Sequence, residues 1–228
     1  MSEVSNLSRL PRMSHAGNLP GHVQEVLLEA ILSRVLVPGE RLLIDEIADH
    51  FGISKIPVRE AIKALEVAGW LDSQPRRGTY VRPLSRDELE EVFEMRRVLE
   101  PYAARKAAER RTDAQLAELK ELIATGNEAL KRKDVIATSR VNSRFHTVIA
   151  EAVGNEILAA TLTDLSARIR RYYADLDWIK RCESFADHRR IYEALRDRDA
   201  ELAEKLTVLH IGSTERLAVA KLEDPPRR

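Results

Sequence analysis

The chain lacks the features that mark secreted and membrane proteins. It has 228 residues but one cysteine, Cys182, so an internal disulfide is excluded and a reducing compartment is indicated. No apolar run approaches the ~18 residues that a membrane-spanning helix requires. The start of the chain also has no apolar stretch of the kind found in a signal peptide. We therefore expect a cytoplasmic protein with no membrane partner.

Aromatic residues and net charge are scarce as well. Aromatics make up 5% of the chain, whereas hydrophobic residues reach 44% and charged residues 32%, which predicts a folded protein rich in helix. Lys+Arg and Asp+Glu both total 37, so the formal net charge is zero. Any surface that binds nucleic acid must therefore be a local concentration of basic charge.

The first segment, residues 21–83, has short elements of mixed type. The stretches "VQEVLLEAILSRVL", "IDEIADHFG" and "ISKIPVREAIKALEVAG" predict three helices, and "WLDSQPRRGTYVRPL" predicts a hairpin with its turn at Arg76-Arg77-Gly78. Ser54 is predicted to cap the third helix, whose inward stripe is predicted to be Val58, Ala61, Ile62 and Leu65. Three helices and a hairpin in this order predict a winged helix-turn-helix.

The second segment is helical throughout, so the predicted fold class is mostly α: a winged helix-turn-helix followed by an all-α helical bundle effector domain. The linker is predicted at 84–88 and the helical domain at 87–220, with flexible tails at 1–20 and 221–228. The predicted helices cover residues 87–110, 113–132, 134–153, 156–177, 184–196 and 200–220. Ser85, Asp113, Asn155 and Asp199 are predicted as caps or cap neighbours.

Basic residues cluster where a recognition helix would meet DNA. Lys55, Arg59 and Lys63 recur every four residues on a helix that follows a tight turn. Arg59 has the geometry to pair with guanine, and the lysines suit phosphates. Between residues 55 and 82 there are six basic and three acidic residues, which gives a local net charge of +3. The candidate DNA-binding residues are Ser54, Lys55, Pro57, Arg59, Lys63, Arg76, Arg77, Gly78 and Thr79; the alternative is an ordinary solvated face.

The stretch "IDEIADHFGISKIPVREAIKALEVAGWLDSQPRRGTYV" resembles the DNA-binding region of GntR-superfamily repressors, which have "GVSRxPVREAL" followed by a "GLV…GRGxxV" wing. Lys55 stands where that family commonly has arginine, and Ile56 where a small polar residue is frequent. The lysine keeps the charge but loses the planar fork that pairs with a base, so sequence preference at that contact is expected to be relaxed.

Three histidines of the second segment are predicted to face its core. His146 follows Asn142 by one turn in "NSRFHTVIAEAVGN", at the edge of an apolar arc. His188 and His210 lie on the apolar sides of two later helices. One such histidine is usually a hydrogen-bonded core residue, but three, with an asparagine beside the first, favour a metal site. Three imidazoles and one amide oxygen suit zinc or another late first-row ion.

The stretch "NSRFHTVIAEAVGN … DHRRIYEALRDRDAELAEKLTVLH" is similar to the C-terminal FCD domain of the FadR-like branch of the GntR family, whose pattern is Asp-x-x-x-His followed by two further histidines. That resemblance covers about residues 87–220 and implies the metal ligands Asn142, His146, His188 and His210, with Asn142 in place of the usual aspartate. It implies a divalent transition metal, with zinc first and nickel or manganese as alternatives.

The resemblance also implies a transcription regulator, not an enzyme. It implies a homodimer on a palindromic double-stranded DNA operator, acting as a repressor and controlled by a small carboxylate-containing effector. The candidate effector anchors are Arg96, Arg97, Arg168 and Arg170. For each arginine alone, a solvated surface position is the alternative.

Two other functions remain open from the sequence. A histidine-bound metal would suit a hydrolase or lyase, with Asp187 or Glu193 as the base, although the chain has no HExxH motif. A DNA-binding regulator with a purely structural metal, or with an empty pocket, would explain the loss of the aspartate at Asn142.

Overall fold

The computed structural model of the chain describes residues 6–11, 18–173 and 178–223, and it divides into two compact units between Leu84 and Ser85. The predicted fold class is confirmed: the chain is mostly α-helical, with one small sheet in its first unit. Within the described residues, no helix is both long and apolar enough to cross a bilayer.

The first unit contains three helices and a three-stranded antiparallel sheet. Its elements are a 3-10 helix at Asn6–Arg9, α1 Leu19–Leu32, β1 Arg41–Leu42, α2 Ile44–Phe51, α3 Lys55–Val67, β2 Leu71–Gln74 and β3 Gly78–Val81. The strand order is β1-β3-β2, so the predicted hairpin gains an edge strand. Because β1 has only two residues, the sequence showed no alternation from which to predict it.

The helix-turn-helix is formed by α2 and α3. Gly52 ends α2 with φ +66°, a conformation that glycine adopts without strain. The predicted inward stripe of α3 is buried; its members are Val58, Ala61, Ile62 and Leu65. Ser54 holds the N-cap position as predicted, but its side chain makes no capping hydrogen bond, which leaves the hydroxyl exposed.

The residues expected to form a flexible N-terminal tail include an ordered part. After the 3-10 helix, the Leu10 side chain is 5% exposed, and the Leu10 carbonyl oxygen lies 3.2 Å from His50 Nε2 at the end of α2. The remainder of that expected tail, apart from residues 11 and 18–20, lies outside the described residues.

The second unit is a bundle of long helices. They are α4 Arg86–Arg110, α5 Asp113–Lys131, α6 Val135–Glu151, α7 Glu156–Tyr173, α8 Trp178–Arg196 and α9 Ala200–Glu223. α8 begins six residues before the predicted start at 184, and α9 extends three residues into the expected C-terminal tail. Residues 174–177 of one predicted helix, and residues 224–228, lie outside the described residues.

Short polar side chains fix where these helices begin. Ser85 Oγ accepts a hydrogen bond from the Glu88 N–H, and Asn155 and Asp199 cap α7 and α9 in the same way. At α5 the cap is Thr112, one residue before the predicted Asp113. The cap falls there because Thr112 forms a reciprocal capping box with the residue three positions on, Gln115.

The core of the bundle places α6, α8 and α9 face to face. It is built from buried residues of α4, α5, α6, α8 and α9, including Ala104, Ala107, Leu119, Phe145, Val148, Ile149, Ile191, Leu195, Ala203 and Leu206. The side chains of α6, α8 and α9 next to this core face one another, and the three histidines lie on those faces.

Candidate functional site

Three histidines from three helices meet inside the second unit. His146 on α6, His188 on α8 and His210 on α9 are 8%, 1% and 1% exposed. One nitrogen from each ring lies within 4.8 Å of the other two. Since a zinc–imidazole bond is about 2.1 Å long, three nitrogens that share one tetrahedral ion lie about 3.4 Å apart. Side-chain adjustments of about 1 Å would therefore bring all three onto one ion.

Two ring nitrogens of this histidine cluster are buried without hydrogen bonds. Within the described part of the chain, His146 Nε2 and His188 Nε2 have no hydrogen-bond partner, and His210 Nδ1 has only a loose contact with Asp187. Buried polar atoms are normally paired, so unpaired nitrogens on adjacent rings need an explanation. Burial lowers the pKa of His188 well below 6.5, helped by the neighbouring histidines and Arg96, so this ring is a neutral donor. Neutral, desolvated imidazoles are the ligand form that a transition metal requires.

A buried ion pair on α4 supports the cluster. Arg96 and Glu100, 3% and 5% exposed, form an ion pair, and the second Glu100 oxygen lies 3.2 Å from His146 Nδ1. Burial alone would raise the pKa of Glu100, but the positive charge of Arg96 and the contact with His146 hold it well below its usual value. Glu100 is thus a carboxylate that favours a proton on His146 Nδ1, and it leaves the Nε2 lone pair for a ligand.

His210 has a carboxylate neighbour too. Asp187 Oδ2 lies 3.5 Å from His210 Nδ1 and also faces Arg190. Burial lowers the pKa of His210, and Asp187 opposes that shift. Asp187, named from the sequence as a possible base, therefore lies against a histidine, whereas Glu193 pairs with Arg189 near the surface.

Asn142 lies one turn before His146 and lines a small cavity. The cavity has a volume of about 30 Å³, roughly that of one water molecule. Its lining comes from α6, α7, α8 and α9 and consists of Thr138, Ser139, Asn142, Arg170, Tyr173, Ser184, Phe185, Thr214 and Leu217. A second, smaller cavity touches His146 and Glu100 directly.

The four candidate arginines fall into two pairs. Arg96 is buried beside the histidines, and Arg170 is 7% exposed, lines the 30 Å³ cavity and donates from Nε to Ser139 Oγ at 3.0 Å. Arg97 is half-exposed and donates to Glu215, while Arg168 pairs with Glu88 and Asp164. Only the first pair lies at the cluster or its cavity.

Two residues near the cluster were not singled out from the sequence. Glu100 is one of many charged residues in its helix. The only sequence signal for its ion pair is its spacing of four residues from Arg96. Tyr173 is partly buried, its phenol interacts with Arg96 and Thr214, and desolvation raises its pKa. No sequence signal marked Tyr173, because it is one of two adjacent tyrosines near the end of a helix.

Most predicted DNA-binding residues lie on the surface of the first unit. Lys55 pairs with Asp45 at 2.9 Å, Lys63 pairs with Glu66 at 3.2 Å, and both remain largely exposed. Arg59 is exposed on the same helix. Pro57, also predicted to bind DNA, is buried in the first turn of α3, where its ring packs against the interior of the unit.

The predicted wing is a tight turn with basic tips. Arg76 and Gly78 have φ of +64° and +115°, and the Tyr80 hydroxyl donates to the Arg77 carbonyl oxygen at 3.0 Å. At Gly78 a Cβ would lie 2.8 Å from Arg41 Nε, at the flexible end of that side chain, so it is the positive φ that favours glycine there. Thr79 is half-buried and its hydroxyl bonds to Ser73, which makes it part of the sheet.

Comparison with known proteins identifies both units. Residues 19–81 match the model of the bacterial regulatory proteins of the gntR family, and residues 91–213 match the FCD domain. The chain is 30% identical over 176 residues to the Nta operon transcriptional regulator of Aminobacter aminovorans, covering 76% of this chain and 82% of that protein.

Two further relatives are repressors of Escherichia coli strain K12. The HTH-type transcriptional repressor RspR is 26% identical over 191 residues, 83% of this chain and 84% of the relative. The galactonate operon transcriptional repressor is 25% identical over 205 residues, which cover 79% of this chain and 88% of the relative. Among solved structures, E. coli McbR/YncC has the same fold, with a TM-score of 0.82 at 24% identity, over 91% of this chain and all of that one.

Proposed function

The chain belongs to the gntR family of bacterial regulatory proteins with an FCD domain, and from this premise we propose that it represses an operator as a homodimer until a small organic acid binds at a metal in its second unit. The family and its relatives make it a transcriptional regulator, not an enzyme. The observation that carries the effector proposal is the meeting of three buried imidazoles from three helices, with the Nε2 atoms of His146 and His188 unpaired.

The DNA contacts are proposed to come from the start of α3 and the wing. Arg59 reads a guanine in the major groove, and Lys55 and Lys63 hold phosphates. Ile56 is 66% exposed beside these cations, and an apolar side chain there suits the methyl group of thymine. Two such units on a two-fold symmetric dimer require a palindromic operator.

The donor set fits a divalent transition ion, zinc first. His146, His188 and His210 would hold it, with the Asn142 amide oxygen as the fourth ligand from the chain. A bound ion supplies positive charge that attracts a carboxylate. FCD domains usually have an aspartate at the position of Asn142, whose amide brings no negative charge. The ion would therefore be held less tightly, and its remaining positive charge would attract an anionic effector more strongly.

The effector is proposed to enter beside Asn142, with Arg170 and Arg96 as its anchors. A guanidinium forms paired hydrogen bonds with a carboxylate, and Arg170 already faces the cavity. One relative is named for the galactonate operon, and galactonate is an organic acid of the expected class. Since the cavity is only about 30 Å³, such an acid must part the surrounding helices.

Separation of the helices would transmit effector binding to the DNA-binding unit. Arg170 and Tyr173 of α7 line the cavity, while Tyr172 on the same helix donates to Glu88 at 2.8 Å and lies 3.0 Å from the Ser85 carbonyl oxygen. Ser85 is the cap of α4 and follows the first unit directly in the chain. A shift of α7 therefore moves the point at which the first unit is attached.

A thermal-shift screen of organic acids, with zinc and with EDTA, tests this proposal. A ligand that binds the native state raises the melting midpoint by mass action. We expect an acid whose stabilisation requires metal, and which then releases duplex DNA selected by the protein from a random pool. His146→Ala and His210→Ala should abolish the metal-dependent shift, whereas His22→Ala, outside the cluster, should not.

Two results would contradict the proposal. Absence of metal binding, with no change on His146→Ala, would leave a regulator with an empty pocket. Metal binding without any acid that shifts the midpoint or releases DNA would reduce the ion to a structural role.

A further inference from the structure

The packed helices α4 and α9 leave an apolar patch open to solvent. Met95, Val98 and Tyr102 on α4 are 45%, 66% and 47% exposed. Their spacing of three and four residues places them on one face of the helix. Val208 on α9 is 52% exposed. Single exposed apolar residues are ordinary, but four that adjoin mark an interaction surface. We call these four residues the α4/α9 patch.

Two ion pairs show that the residues of α4 and α9 in this patch adjoin. Arg97 donates to Glu215, and Arg105 donates to Glu204 at 2.8 Å, so the two helices run in opposite directions side by side. Val208 lies between the two glutamates on α9, and the middle of the α4 stripe lies between the two arginines. The patch is therefore continuous across both helices.

Charge of opposite sign flanks the patch along α4. Solvent-accessible acids precede it and bases follow it: Asp87, Glu90, Glu91 and Glu94 on one side, and Arg105, Lys106 and Arg110 on the other. Arg86 and Arg97 offset part of the negative charge, and Glu109 offsets part of the positive charge. The two ends of the helix still differ in sign, and the acidic end borders an open cleft of about 810 Å³.

We propose that the α4/α9 patch is the face through which two copies of this chain pair, about a two-fold axis near Val98 with their α4 helices antiparallel. A two-fold axis brings the acidic end of one helix to the basic end of the other. Glu91 and Arg105 are each seven residues from Val98, so Glu91 lies level with the partner subunit's Arg105. A reversal of charge sign on either side of Val98 is what pairing with a second copy requires. A partner of another kind would not require it.

The inference rests on the proposed function, which requires a homodimer, and it names the face that the dimer uses. Burying the patch removes apolar surface from water, and the flanking charges fix the antiparallel direction. The histidine cluster is not part of the patch, so the two can be tested separately.

Disulfide cross-linking tests the axis directly. Cysteines bridge only when their Cα atoms lie about 4.4–6.8 Å apart, which two copies of one residue satisfy only near a two-fold axis. The exposed native thiol is first removed by Cys182→Ser. In that background we expect Val98→Cys to give a covalent dimer on mild oxidation. Ile157→Cys, on α7 and 81% exposed, is the matched control and should stay monomeric. Equal cross-linking of both, or none at Val98→Cys, overturns the proposal.

Light scattering over a range of protein concentrations gives the second test. Val98→Arg places two like charges together at the axis and should weaken the dimer on the order of 100-fold. Ile157→Arg should remain as dimeric as the wild type. A dimer that survives Val98→Arg, or a wild type that is monomeric, contradicts the assignment. The Val98→Arg monomer should keep the wild-type helix content and metal binding, so failure of the metal proposal would be seen independently.

Discussion

At the scale of residues, the histidine cluster depends on a carboxylate that never needs to touch the ligand. Glu100 is buried with Arg96, and its second oxygen faces His146 Nδ1. Buried charges persist only when paired, so each of the two holds the other in the charged form. The pair thus orients one imidazole through Nδ1, which leaves Nε2 for the proposed metal. A carboxylate that orients a histidine in this way is recognised from its contacts in the structure, because no sequence motif marks it.

Glu100→Gln tests that role, because it keeps the size of the side chain and removes its charge. Arg96 would then be a buried cation without its counterion, and we expect a loss of about 3–5 kcal/mol in the free energy of unfolding. Zinc affinity should fall about 10- to 100-fold, since His146 loses its orienting partner. Urea unfolding and a metal titration measure the two effects. Glu121→Gln, on the exposed face of α5, is the control. Wild-type zinc affinity in Glu100→Gln would refute the positioning role.

At the scale of elements, one close contact between helices holds the histidine cluster in place. Gly126 of α5 faces Phe185 of α8, and a Cβ at Gly126 would lie 2.2 Å from Phe185 Cε1. The Phe185 ring is also 5.2 Å from the His188 ring, centroid to centroid. α5 and α8 can approach this closely only because position 126 has no side chain. The position of His188 is therefore set partly by a glycine on another helix.

Gly126→Ala should accordingly destabilise the second unit, although alanine favours helix by about 1 kcal/mol over glycine. Overpacking costs about 1–3 kcal/mol, so we expect a net loss and a displaced His188. The melting midpoint should fall, and so should zinc affinity. The double variant Gly126→Ala with Phe185→Leu provides room and should recover much of the loss. A single variant more stable than the wild type would contradict the packing argument.

The elements show how far the sequence alone reaches. Apolar periodicity located the long helices and the inward stripe of α3, because burial of one face is a local, repeating signal. The inward faces of His146, His188 and His210 were predictable for the same reason. Strand β1 and the early start of α8 were missed, since pairing of a two-residue strand and docking of a helix end depend on distant contacts. Glu100 and the 30 Å³ cavity were beyond prediction, because they arise from packing between helices.

At the scale of the whole molecule, α7 has two faces with different contacts. One lines the cavity through Arg170 and Tyr173, and the other holds the first turn of α4 through Tyr172. Coupling between sites requires an element with two arrangements that both sites influence. In the proposed regulator α7 is that element, since it contacts the effector position and the attachment point of the DNA-binding unit.

Tyr172→Phe should separate effector binding from DNA release. The change removes the hydroxyl held between Glu88 and Ser85 and should cost about 1 kcal/mol of stability. Effector affinity should change little, because Tyr172 does not line the cavity, whereas the effector-induced loss of DNA affinity should shrink by at least about 5-fold. Fluorescence anisotropy of labelled operator DNA measures both, with Tyr192→Phe as the control. Undiminished release of DNA by Tyr172→Phe would rule out this route.

In the proposed regulator, the size of the cavity beside Asn142 also determines how the effector is captured. Since the cavity has room for about one water molecule, an acid would enter only when the helices separate. The rate of capture then levels off at high effector concentration, at the frequency of opening, and the measured dissociation constant exceeds the intrinsic one by the reciprocal of the open fraction.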